Sequence, residues 1–73
     1  MIDFKKNIVT TGDTVVTFVI EVNGTRLRTG TIVKIYSGEH NVDWAEIQLE
    51  TKIGDELFHT YIHRNGAQLL KHE

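Results

Sequence analysis

The chain has 73 residues and a formal charge of −2, from ten acidic and eight basic side chains. That length allows one small domain, which buries only about 60% of its unfolded surface, and a generic nucleic-acid binder would be clearly basic. The absence of cysteine excludes disulfides, thiol catalysis and cysteine-containing metal sites, and it fits a reducing, cytoplasmic setting.

Proline is absent as well, so glycine, asparagine and aspartate supply the punctuation. The opening residues, MIDFKKNIVTTGD, lack the apolar segment of a secretory signal. No apolar run approaches the roughly 20 residues that span a bilayer. Residues 1–11 read as a loosely ordered N-terminal arm, closed by a turn at Thr11-Gly12-Asp13. TVVTFVIEV (14–22) follows, with Val16, Phe18, Ile20 and Val22 on one face and Val15, Thr17, Val19 and Glu21 on the other. Asn23-Gly24 then predicts a two-residue type I′ hairpin turn, which needs residues that tolerate positive φ.

The second run alternates Leu27, Thr29, Thr31, Val33 and Ile35 against Arg26, Arg28, Ile32, Lys34 and Tyr36, and Gly30 interrupts it. A glycine inside a strand marks a bulge or a sharp bend. After Ser37-Gly38, VDWAEIQLE (42–50) turns Ala45, Ile47 and Leu49 inward and Trp44, Glu46, Gln48 and Glu50 outward. A Thr51-to-Asp55 connection leads to ELFHTYIH, where Phe58, Thr60 and Ile62 alternate with Leu57, His59, Tyr61 and His63. RNGAQ reads as one tight helical turn and LLKH as a short closing strand. No stretch carries the helical periodicity of a longer helix.

Five short strands are too few for an immunoglobulin sandwich, and the five-residue connection leaves no room for the helix that an OB-fold inserts there. The expected fold is therefore all-β: a small SH3-like barrel of about five strongly bent antiparallel strands, with one short helical turn before the last strand.

The stretch GDTVVTF…NGTRLRTGTIVKIY resembles the opening of KOW-type and related SH3-like domains, with Gly12, Asp13, Val15, Gly30, Ile32 and Ile35 at the matching positions. The family's extra glycines between the two strands are replaced here by TRLRT. The resemblance implies the barrel and a binding role, since such domains engage RNA, DNA, ribosomal or polymerase partners, or other proteins. In size and style the chain is also similar to small SH3-like accessory proteins of bacteria and their phages.

Two groups of side chains carry the functional expectation. Arg26, Arg28, Lys34 and Tyr36 form a basic stripe if the second strand keeps its register, with alternate residues about 6.5–7 Å apart. Such a stripe suits phosphates or an acidic protein surface, unless Glu21, Glu46 and Glu50 simply neutralise it. Trp44, Tyr61, His63 and Arg64, with His59 nearby, form an aromatic and histidine face suited to anchoring a protein partner, although Trp44 alternatively belongs to the core. His59 and His63 lie about 13 Å apart along their strand, too far for that pair to grip one zinc ion, so no metal or cofactor is expected. Ser37, the only serine, sits in a turn, and a barrel this small is filled with side chains, so no catalysis is expected. The leading reading is a non-catalytic module docking on a protein with an acidic surface. The alternative is a KOW-type nucleic-acid binder using the same basic stripe. A third reading is a homodimer that covers Val15 and Val19.

Overall fold

The computed structural model describes residues 1–72 and bears out the all-β expectation. Strands β1 (Thr14–Glu21), β2 (Gly24–Ser37), β3 (Asp43–Ile53), β4 (Glu56–Asn65) and β5 (Leu69–Lys71) form one antiparallel sheet in the order β4-β3-β2-β1-β5. The expected helical turn before the last strand is a 3₁₀ turn at Gly66–Gln68. The Asn65 side chain accepts from the Ala67 N–H, while Gln68 Oε1 accepts from the Asn65 N–H, and this reciprocal capping stops the chain continuing as strand. A second 3₁₀ turn, Glu39–Asn41, joins β2 to β3, with His40 and Asn41 both at positive φ. Because β4 runs through Gly66–Gln68 into β5, the chain itself links the two edge strands of the curled sheet.

The core is Val9, Val15, Ile32, Ala45, Ile47, Leu49 and Leu69, with Met1, Val19, Ile35 and Ile62 packed against it. The inward faces of β3 and β4 are the ones the alternation predicts. The first strand corrects one expectation. Val15 is completely buried and Val19 packs on the core, so neither offers a surface to a dimer. Val16, Phe18 and Ile20 turn outward instead, because Val15 pairs with Gly30 on the face that closes over the barrel. Gly12, Asp13 and Ile32 meet at this place: Gly12 N–H donates to Ile32 O, and Ile32 N–H donates to Asp13 O.

Both hairpin turns differ from their expected form. Val22 and Asn23 occupy the loop, and neither has a positive φ; only Gly24, at +114°, does. That is the pattern of a hairpin with a glycine bulge, whereas a type I′ turn needs positive φ at both central residues. The connection expected over Thr51–Asp55 shortens to Gly54-Asp55, since β3 persists to Ile53.

β2 changes partner at Thr31, which pairs with Thr14 of β1 and with Gln48 of β3. Gly30 precedes the change. A Cβ there would lie 2.5 Å from Ile47 Cγ2 and 2.8 Å from Gln48 O, so only glycine lets β3 cross this closely. Gly30 is the bend but not the bulge: it stays in register with Val15, and the slip falls between Ile32 and Lys34.

Residues 1–11 dock along β5. Phe4 N–H donates to Leu69 O and Val9 N–H to Met1 O. Asp3, only 3% exposed, accepts from the backbone N–H groups of Lys71 (2.7 Å), Asn7 (2.8 Å) and Lys5 (2.9 Å). The Lys71 N–H contributes most to holding this carboxyl below its ordinary value of 3.8; burial opposes the shift, and the Asn7 and Lys5 donors add to it.

Two predictions follow from these contacts. Gly30→Ala should lower unfolding stability by about 1–3 kcal/mol through overpacking, read as a lower urea midpoint at unchanged slope. The depressed Asp3 pKa means that the native state holds fewer protons than the unfolded chain. Its contribution is therefore complete above the ordinary carboxyl value and is lost as pH falls through the lower native value. Asp3→Asn should destabilise the protein most at neutral pH, and the gap to the natural chain should narrow in urea melts as pH falls below the ordinary carboxyl value.

Candidate functional site: the outer face of the β2–β3–β4 sheet

The register slip at Val33 sorts the expected site residues into two places. Arg26 and Arg28 pair with Val19 and Thr17 and share the inward face with Gly30 and Ile32. Lys34 and Tyr36, beyond the slip, pair with Glu46 and Trp44 and point outward. The basic stripe is thus divided between the two faces of the sheet.

The arginines sit where β1–β2 splays from β3. Between these strands lies a polar cleft of about 500 Å³, lined by Arg26, Arg28, Thr29, Gln48 and Glu50. Arg28 spans it, donating to the backbone carbonyl of Glu50 and to Thr51 Oγ1. Glu21 Oε2 lies 3.5 Å from Arg26 and its Oε1 3.8 Å from Arg28, so one carboxylate serves both cations. Arg64 is inward too, paired with the buried Ala45. It reaches over the ring of Phe18, 5.3 Å from the centroid, and donates to Phe18 O at 3.2 Å. Its role is to tie the end of β4 to β1, and its Nε is buried without a partner among the described residues.

The outward face brings the remaining five together. Tyr36 and Trp44 are cross-strand partners, Gln48 opposes Tyr61, and Glu46 opposes both Lys34 and His63. The Tyr36 hydroxyl and His63 Nδ1 share a hydrogen bond of 2.8 Å, with their rings edge to face at 5.8 Å. Lys34 Nζ lies 5.8 Å from the Tyr36 centroid and has no ion pair among the described residues. Gln48 Nε2 donates to the Tyr61 hydroxyl at 3.3 Å, and Tyr61 is 52% exposed. Trp44 is half-buried and lies outside the core. Its indole lies against Gly38, where a Cβ would approach Cδ1 to 2.5 Å. The face is a polar and aromatic platform, ordered by its own hydrogen bonds and open to solvent.

Gln48 and Gly38 belong to this site although neither was expected in it. The signal for Gln48 was the Gly54-Asp55 pair. A two-residue turn fixes every cross-strand partner of β3 and β4, whereas a five-residue connection leaves the pairing open. Gly38 had no comparable signal, because its contact depends on the rotamer of Trp44. His59 lies farther along the same face, 3.8 Å from Glu50. Among the described residues, no three His, Asp or Glu side chains gather as metal ligands would, and no helix is long and apolar enough to cross a membrane.

The Gly38 contact is testable through the single tryptophan. Gly38→Ala should displace the indole and shift its emission to longer wavelength, with an unfolding midpoint close to that of the natural chain. An unchanged spectrum would show that Trp44 does not rest on Gly38.

Compared with known protein families, curated proteins and solved structures, the chain matches none, so its function rests on the geometry of this face.

Proposed function

We propose that the protein is a non-catalytic interaction module that docks on an acidic protein surface through the outer face of β2, β3 and β4, in a cytoplasmic setting. One observation carries the reading: Tyr36, Trp44, Tyr61 and His63 converge on a single sheet face, with the unpaired Lys34 at its margin. Tyrosine and tryptophan provide contact area at low entropic cost and are favoured anchors at protein interfaces. Lys34 adds charge complementarity, which fixes orientation more than it raises affinity.

The same geometry weighs against the KOW-type nucleic-acid alternative. A phosphate-tracking groove needs several free cations on one surface. Here Arg26 and Arg28 share Glu21 on the opposite face, and Glu46 stands between Lys34 and His63 in the cross-strand register.

Affinity capture with the tagged protein, followed by titration of the captured partner, tests the reading. Trp44→Ala and Tyr36→Ala should each weaken binding by about 2 kcal/mol or more, the cost of truncating an anchor. Arg26→Glu, on the other face, should leave binding within about threefold, the usual scale of a surface substitution. If Arg26→Glu abolishes binding while Trp44→Ala does not, the face is misassigned. Anisotropy titrations against labelled random single- and double-stranded DNA and RNA complete the test. Binding that collapses steeply with salt would favour the nucleic-acid reading.

A further inference from the structure

The two edges of the sheet are treated differently. β5 is covered: Phe4 donates to Leu69 O, and the Asp3 carboxylate takes the Lys71 N–H. β4, at the other end of the strand order, has only β3 beside it. Among the described residues, no loop or arm hydrogen-bonds to its outer backbone over Glu56–Tyr61. The strand has no lysine or proline to blunt it, which are the usual devices for protecting an open edge. It also concentrates exposed apolar surface, with Leu57 at 57%, Phe58 at 44% and Tyr61 at 52%.

The sequence of this edge is complementary to its own reverse. Two copies of ELFHTYIHR, laid antiparallel about a two-fold axis normal to the sheet, place like faces on the same side. With the axis at Thr60, the inward positions oppose Phe58 to Ile62, Glu56 to Arg64, and Thr60 to itself. The outward positions oppose His59 to Tyr61 and Leu57 to His63. Phe58 against Ile62 and Thr60 against Thr60 are favourable cross-strand pairs, while Leu57 against His63 adds none. Glu56 has no ion pair within the described chain, and the Arg64 guanidinium opposite it already donates to the Phe18 and His63 carbonyls. Shifting the axis by one residue either way loses the match. Centred on His59, Glu56 faces Ile62; centred on Tyr61, Phe58 faces Arg64.

We infer that β4 is a self-association edge. It pairs antiparallel with β4 of a second copy in the register centred on Thr60, joining two five-stranded sheets into one. This inference is independent of the docking function proposed above.

Sedimentation velocity of the full chain from about 1 µM to about 1 mM, the range over which weak and moderate interfaces dissociate, tests association. The mass should rise from 8.4 kDa toward twice that value. Thr60→Lys sets two ammonium groups against each other at the axis and should hold the chain monomeric, with an unchanged circular dichroism spectrum. The register is tested separately, because the natural chain contains no cysteine. Thr60→Cys places two thiols directly opposite, about 4.5–5.5 Å apart at Cβ. Leu57→Cys separates them by about 20 Å along the strand. Mild oxidation should cross-link the Thr60→Cys chain at least about tenfold faster, as its local thiol concentration requires. A natural chain that stays monomeric at every concentration would overturn the inference and leave the edge to an extended segment of another protein. Equal cross-linking of the two cysteine variants, or a dimeric Thr60→Lys chain, would overturn it as well.

Discussion

Everything in this fold depends on β2 being able to serve two neighbours in turn, and it does so because nothing projects from Gly30. Up to Thr31 β2 pairs with β1; from Thr31 onward it pairs with β3. Ile47 and Leu49 fill the space that a side chain at Gly30 would occupy, and both are core residues. The bend and the core are therefore one contact. Its cost is the divergence of the first half of β2 from the last third of β3, which opens a polar cleft. Arg28 closes that gap with hydrogen bonds to Thr51 and to the Glu50 carbonyl, satisfying a backbone acceptor that has lost its strand partner.

The fold was legible in the sequence because most of it is written in period-two alternation and in glycine and asparagine punctuation. β3 is the plainest case: Ala45, Ile47 and Leu49 are inward as read, since a strand with one buried face admits a single parity. β1 was less legible. Both of its faces are apolar, so alternation could not say whether Val15 or Val16 is inside; the answer lay in Gly30, two strands' width of chain away in sequence but directly opposite in register. The site was legible residue by residue and not as a unit. Lys34 and Tyr36 were expected beside Arg26 and Arg28, and the extra residue at Val33 turned them to the other face. No residue type announces such a slip. Val33 is an ordinary strand residue, and the slip arises from the tertiary demand that Ile32 and Ile35 both reach the core.

Asp3 shows how the remaining irregular chain is put to use. A carboxylate that is almost fully buried would be costly without donors, and here backbone N–H groups from residues 5, 7 and 71 surround it. The arm that holds it lies along the one edge of the sheet that no other strand covers at that end. The N-terminal segment thus acts as a side-chain-capped substitute for a sixth strand, and Val9 from the same segment completes the core. A domain of this size has few other ways to close an edge, since its sequence contains neither cysteine nor proline.

The open edge and the aromatic face are neighbours, and their geometry couples them. Tyr61 belongs to both: its side chain lies on the outer platform beside His63, and its backbone lies in the uncovered stretch of β4. A two-fold axis normal to the sheet keeps the outer faces of two copies on the same side, so edge pairing sets two platforms of Tyr36, Trp44, Tyr61 and His63 next to each other across Thr60. A partner that engages both gains effective concentration without any new kind of contact. Under the proposed docking, a weak individual platform then suffices for firm attachment.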